Sequence, residues 1–401
     1  MNKKQVDQYI EFLKNNNAYY SNALKKIDIT DYNFSDIKLL TKQDIRNNSN
    51  EIITNGFSKN SLNLEKTNGT TEKFPLTLYK TTEERVKLDL QLWKARFKLN
   101  PQAALRCNVY YYDSDILYNE RKTYSFGNRL VTYSQMNKDN DGKYLDDLKY
   151  FKSNNIQWLI GPISVMYKLA KVSKYYNFKT EIKYIEFTSE YPTPFYKEFI
   201  ENQFNCKTCT QYSCHELWGI AFTDKDNKIK ILDDTIVETI EEPNSLRGLG
   251  NAIITKLTLK AMPFLRYSIT DLIKVNKDEI YNFGFRSTDK VIFENVVIPW
   301  YFFDNLFFKM FTETQIPIDL LPLVNYQIIY DRDQKNIDII TLGLSEEINI
   351  QIKKLLKHKI EENFGKDITI EVNHGNQFRR DNLTGKMRAI LPKNIINKEI
   401  W

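Results

Sequence analysis

Apolar residues recur at helical spacing in Val6, Ile10 and Leu13, and the Asn15-Asn16-Asn17 run breaks the pattern. A short amphipathic helix over residues 4–15 is therefore predicted. Between Gly69 and Asn251 helical stretches alternate with apolar strand-like runs, among them Ile156-Gln157-Trp158-Leu159-Ile160, closed by Gly161-Pro162. Such alternation predicts an α/β body. Thr193 supplies an N-cap hydroxyl and Pro194 fits the first helical position, so a helix carrying Phe195, Phe199 and Ile200 on one face should run to about Asn205. The runs 219–223 and 228–232, joined by Asp224-Lys225-Asp226-Asn227, read as a hairpin that 235–238 and 252–254 extend into a meander. Past residue 290 the pattern becomes strand (337–340), a helix capped by Ser345 and ended by Gly365, and a second strand (368–372).

A chain of 401 residues exceeds the size at which single cores stop growing, about 250 to 300 residues. Two domains follow: a large α/β domain over 1–285 and a small, mobile α+β domain over 290–401. No run approaches the roughly 20 apolar residues of a membrane span, and the polar start Met1-Asn2-Lys3-Lys4-Gln5 offers no apolar secretory core. With four cysteines in the whole chain, this leads us to expect a cytoplasmic protein with free thiols and no membrane partner. The net charge of +6 is spread over 57 basic and 51 acidic side chains without a basic stripe, so nucleic acid is not expected as a partner.

The segment Thr67-Asn68-Gly69-Thr70-Thr71-Glu72-Lys73-Phe74-Pro75 combines short donors, a glycine and a lysine in one turn, a composition able to wrap a polyphosphate. Downstream stand Thr188-Ser189-Glu190, Gln211-Tyr212-Ser213-Cys214-His215-Glu216, Ala261-Met262-Pro263-Phe264-Leu265-Arg266-Tyr267 leading to Asp271, Gly284-Phe285-Arg286-Ser287-Thr288-Asp289, and Leu383-Thr384-Gly385-Lys386-Met387-Arg388. With Asn17-Ala18-Tyr19-Tyr20-Ser21 and Leu40 to Arg46, this series resembles the acyl-adenylate-forming superfamily, within it the phenylacetate-CoA ligase-like and capsular-polysaccharide-associated branch. From the phosphate loop onward the segments fall in family order across nearly the whole chain.

The resemblance implies an ATP- and Mg²⁺-dependent ligase that activates a small carboxylic acid and passes the acyl group to coenzyme A or an acyl carrier protein. It implies phosphate contacts from Thr67, Asn68, Gly69, Thr70, Thr71 and Lys73, and an acyl pocket near Thr188 to Glu190 and Tyr212, with Glu190 also beside the nucleotide. Tyr212 would lie against adenine, Asp271 would accept the ribose hydroxyls, and Arg286 would assist ribose or phosphates. Glu216 would hold Mg²⁺, a hard cation suited to oxygen. Lys386 would reach the acid and the α-phosphate, where two anions meet, and Asp289 would be the hinge. Glu72, Ser213 and Ile269-Thr270 depart from the family, which has glycine in place of Glu72 and Ser213 and Thr-Gly before the aspartate. A family member that binds nucleotide or a partner without catalysis is the competing reading.

Taken singly, these residues admit plainer readings. Thr/Asn/Gly runs are ordinary surface turns, Lys386 a solvated charge, Glu216 a helix-end or surface carboxylate, and Tyr212 filler. Asp271 would serve as N-cap for 272–274, and Arg286 with Asp289 as a local pair. Cys206, Cys209, Cys214 and His215 supply zinc-type ligands, but the spacing fits no familiar framework and adjacent Cys214 and His215 would strain to reach one tetrahedral ion, so ordinary thiols are expected.

Overall fold

The computed structural model describes residues 3–67, 75–113, 121–135, 141–313, 326–381 and 385–396. They form two compact units, each built from several segments. The first comprises Met1–Pro101, Gln211–Ile240 and Gly250–Tyr281, the second Gln102–Thr210, Glu241–Leu249 and Asn282–Trp401.

The second unit contains the parallel part of the α/β fold. Asn108–Asp113, Arg129–Gln135, Ile156–Gly161, Tyr184–Phe187 and the first half of Lys207–Cys214 run parallel, and Lys122–Phe126 adds an antiparallel edge. Asp141–Ser153, Ile163–Tyr175 and Pro194–Phe204 are the crossover helices. Strands covered on both faces are largely apolar, and Ile156, Trp158, Leu159 and Ile185 are accordingly buried, with Met166, Leu169 and Ile200 in the same core and Glu186 buried beside them. A second, four-stranded sheet runs in the order Thr369–His374, Asn336–Thr341, Tyr326–Asp331, Ile390–Pro392, with the helix Glu346–Phe364 against it.

In the first unit the chain turns antiparallel. The second half of Lys207–Cys214 pairs with Trp218–Thr223, which pairs with Ile229–Ile231, and Gly250–Lys256 pairs with Tyr267–Asn276. Lys256 is fully buried in this sheet, where a bare ammonium would be untenable. It donates to Gly219 O at 2.7 Å, Asp234 Oδ1 at 2.7 Å and Thr235 Oγ1 at 2.8 Å, and Thr258 Oγ1 donates to Asp234 Oδ2 at 2.6 Å. Buried Asn17, expected only as part of a resembling segment, caps the helix Ala18–Ala23 and donates to Ile52 O and Thr54 Oγ1.

The helices expected from periodicity, caps and stops form where local chemistry placed them. The hairpin 219–223/228–232 also forms, but its next neighbour in the sheet is Glu279–Arg286 and not Thr235–Glu241, which lies at the far edge beside Gly250–Lys256, so the expected meander is interrupted by long-range pairing. The opening helix is Lys3–Asn16, and Thr193 caps Pro194–Phe204, which ends on Asn205 in the left-handed region. Ser345 caps Glu346–Phe364, with Gly365 following at φ +106°. Among the described residues no helix is long and apolar enough to cross a membrane. The four cysteines are free thiols, Cys209 lies 2.9 Å from the Tyr184 hydroxyl, and no group of three or more described His, Cys, Asp or Glu residues could hold a metal ion.

Removing one partner of a buried ion pair costs about 3–5 kcal/mol, because the other charge is stranded. Lys256→Ala is expected to lose stability on that scale in urea unfolding, and the double variant Lys256→Met, Asp234→Leu to regain a large part of it. Equal losses in the single and double variants would contradict the role of the pair.

Candidate active site

In the first unit, Thr67 ends the strand Asn63–Lys66, and its backbone N–H donates to Leu76 O at 2.9 Å while its hydroxyl accepts from Leu76 N–H at 2.8 Å. Asn63–Lys66 pairs antiparallel with Thr77–Lys80. Asn68, Gly69, Thr70, Thr71 and Lys73, with Glu72, lie outside the described residues.

Glu216 sits in the tight turn joining Lys207–Cys214 to Trp218–Thr223, where Cys214 faces Trp218. It is a buried carboxylate between two strands, not the helix-end or surface acid that isolated reading allows. Its Oε1 accepts from the Tyr267 hydroxyl at 2.9 Å and lies 3.7 Å from Lys42 Nζ. Lys42 opens the helix Lys42–Asn47, which a Thr41–Asp44 capping box fixes in place. Both of these contacts fall on Oε1, and a carboxylate oxygen is the donor type a hard cation takes. Burial, then the Glu216 charge, pushes the neighbouring Cys214 thiol well above its usual range, so it is no nucleophile at neutral pH.

Tyr212 is buried in the apolar cluster of this unit, and its hydroxyl donates to Asp271 Oδ2 at 3.1 Å. Asp271 belongs to the strand Tyr267–Asn276, so it caps no helix. The register of that strand shifts between Ser268 and Leu272 opposite Asn251 and Ile253, a bulge that contains Thr270 at φ +66°. A β-branched residue is a true outlier there, and the family's glycine at this place would relieve it. Ile269, the other departure, is core: only 7 % of its surface is exposed.

The second unit holds the remaining residues. Ser189 takes φ +67°, and Glu190 N–H donates to Thr188 O at 2.8 Å, so the chain doubles back as it leaves Tyr184–Phe187. Glu190 then accepts from Ser164 N–H at 3.0 Å, Ser164 Oγ at 3.0 Å and Met387 N–H at 2.8 Å, which puts it one residue from Lys386. Gln327, fully buried, donates to Arg379 O at 2.8 Å and Arg388 O at 2.7 Å and accepts from Arg379 N–H at 2.7 Å, tying both sides of the lysine loop. Arg286 and Asp289 close a turn: Arg286 N–H donates to Asp289 Oδ2 at 2.8 Å and Asp289 N–H to Arg286 O at 2.9 Å. The pairing is local, as the plain reading had it, but it runs through the Arg286 main chain. Both also share an electrostatic neighbourhood with Arg388, whose Nε lies 3.0 Å from Asp381.

Within each unit, then, the structure joins Tyr212 with Asp271, Glu216 with Lys42 and Tyr267, Glu190 with the Lys386 loop, and Arg286 with Asp289. Lys42 and Tyr267 stood in the quoted segments without an assigned role, and Ser164 and Gln327 were not singled out from sequence. Ser164 had a signal, since it follows the C-terminal end of a strand in an α/β sheet, where ligands gather.

The fold is similar to that of solved adenylate-forming ligases. The structure of 2-hydroxyisobutyryl-CoA ligase in the postadenylation state with 2-HIB-AMP superposes with a TM-score of 0.63 at 13% identity, covering 98% of this chain and 88% of that one. The same ligase in an open conformation with 2-HIB-AMP and CoA gives 0.59 at 13% identity, covering 97% and 90%. In sequence the chain is similar to Protein CapK of Staphylococcus aureus, 24% identical over 313 residues, or 71% of this chain. It spans 64% of the length of that curated relative. No family model matches the sequence. The resemblance to adenylate-forming enzymes therefore extends from the ordered motifs to the fold.

A left-handed L-residue costs roughly 1–2 kcal/mol, against about 0.5–1 kcal/mol for the extra unfolded-state freedom of glycine. Thr270→Gly should thus hold or raise stability by up to about 1 kcal/mol, while Thr270→Ala, which keeps the strain, should not. Urea unfolding of the two variants checks this, and a loss above 1 kcal/mol in the glycine variant would contradict it.

Proposed function

We propose that this protein uses ATP to activate a small carboxylic acid as its acyl-adenylate and then passes the acyl group to a thiol, that of coenzyme A or of a carrier-protein pantetheine. The observation that carries this reading is Glu216, a buried carboxylate held on one oxygen by Tyr267 in the turn where the adenylate-forming motif expects an acid. An oxygen donor of this kind fits Mg²⁺, which when bound would offset phosphate charge beside Glu216.

The chain's own residues then divide the work. Lys386 offsets the repulsion between the acid and the α-phosphate, a contribution available only as those two anions approach. Asp271, oriented by the Tyr212 hydroxyl, accepts the ribose hydroxyls, and Tyr212 offers its ring to adenine. Thr67, with Asn68, Gly69, Thr70, Thr71 and Lys73, contacts the phosphates, and Arg286 assists ribose or phosphates. Residues 290–401 act as a lid turning about Asp289, which excludes water during adenylation and later admits the thiol. A cytoplasmic setting suits four free thiols and soluble acyl acceptors. One feature favours a member that binds without catalysis: Thr270, next to Asp271, holds φ +66° where the family has glycine.

Pyrophosphate exchange over a panel of carboxylic acids separates these readings. Exchange with at least one acid is expected, reduced about 10²-fold or more in Lys386→Ala and in Glu216→Ala, the scale seen when a charge-stabilising group is removed. Nucleotide binding without exchange for any acid would establish the non-catalytic reading instead. Incubating the best acid with each acceptor in turn then identifies the thiol.

A further inference from the structure

Glu190 lies where three elements of the second unit meet. The helix Ile163–Tyr175 begins there, and its first N–H groups have no acceptor within the helix. Glu190 Oε2 takes the Ser164 N–H, while Oε1 takes both the Ser164 hydroxyl and the Met387 N–H. The opposite side of the same serine is held by the loop itself. Arg380, buried and bridged antiparallel to Met387, donates from Nη2 to Ser164 O at 3.1 Å.

The segment leading into Arg380 docks on the same helices. The Tyr167 hydroxyl donates to Asn376 O at 2.8 Å, and Phe378 N–H donates to the Tyr196 hydroxyl at 2.6 Å. Ser164, Tyr196, Phe378 and Arg380 also line one small cavity at this junction. Backbone hydrogen bonds inside the loop, Asp381 N–H to Lys386 O at 3.0 Å and Gly385 N–H to Asp381 O at 2.9 Å, fix Lys386 relative to these anchors. A carboxylate accepting three hydrogen bonds at a helix N-terminus is a strong, directional tie.

We propose that Glu190 is a positioning residue, a latch whose carboxylate fastens the lysine-bearing loop to the first turn of Ile163–Tyr175 and sets where Lys386 can reach. The latch itself stands on these contacts. Its catalytic consequence rests on the ligase reading above.

Amide hydrogen exchange of the full chain tests the latch without any substrate. In Glu190→Ala, peptides spanning 385–390 should exchange at least about tenfold faster, as expected for loss of hydrogen bonds to a charged acceptor. Glu190→Gln, which keeps an acceptor oxygen, should show a smaller increase, and peptides from the helix Glu346–Phe364 should be unchanged. Ser164→Ala, which removes only one donor, supplies a milder variant should Glu190→Ala lose its fold. Unchanged exchange at 385–390 in all three variants overturns the latch.

With an acid identified by pyrophosphate exchange, Glu190→Ala should lower kcat about tenfold or more with KM for ATP and for the acid within about twofold, and Glu190→Gln should restore part of kcat. A raised KM at unchanged kcat would make Glu190 a ligand contact and overturn the positioning role. Wild-type protein inactive with every acid would end the ligase reading alone, and hydrogen exchange would still decide the latch.

Discussion

A parallel strand buried on both faces must leave its sheet carrying polar groups that still need partners, and those groups collect at its C-terminal end. In this protein Ile156–Gly161 and Tyr184–Phe187 end side by side, the first feeding the helix that begins at Ile163 and the second the tight turn at Ser189. Thr188 N–H returns to Gly161 O at 3.0 Å, so the two exits are joined directly. The unmet N–H groups of the new helix then call for an anion, and Glu190 supplies it from the neighbouring exit. The chemistry proposed for this region depends on that arrangement, because the same carboxylate receives the backbone beside Lys386.

The first unit meets a different constraint. Among its antiparallel strands, one register shift falls beside Tyr212 and another beside Asp271. A bulge bends and twists its strand locally. Here the bends bring a tyrosine hydroxyl and a carboxylate into contact from distant strands. Thr270 retains a conformation that glycine adopts without strain, so the local backbone demand has been kept while the residue that meets it at no cost has not.

This contrast explains what could be read from the sequence. Caps and stops such as Thr193-Pro194, Ser345 and Gly365 act within a few residues, and their elements could be placed from sequence alone. The apolar run at Ile156 could likewise be read as a buried strand because its neighbours leave no polar face. Contacts between distant residues were not open to that reasoning: Tyr267 is 51 positions from Glu216, and Met387 is 197 from Glu190. Ordered motifs pointed to Glu216, Asp271 and Lys386, but their supports, Lys42, Gln327 and Ser164, belong to residue types that are common anywhere. The plain reading of Asp271 as a helix cap failed because pairing with the distant strand Gly250–Lys256, which local sequence does not reveal, holds the segment extended.

The composition of the lysine loop follows from the division between holding and reaching. Arginine offers a rigid fork suited to fixed acceptors, whereas lysine carries a compact charge on a flexible stem. Arg380 spends its fork on Ser164 O, Arg388 pairs with Asp381, and Gln327 fastens the backbone of Arg379 and Arg388 from within the core. Lys386 is fixed by these groups through its main chain, its carbonyl accepting from Asp381 N–H. A loop meant only to fill space would not need two arginines and a buried glutamine to define its path. One that must deliver a cation to a chosen place needs a rigid frame around an extensible side chain, and the described residues 379–381 and 385–388 supply that frame.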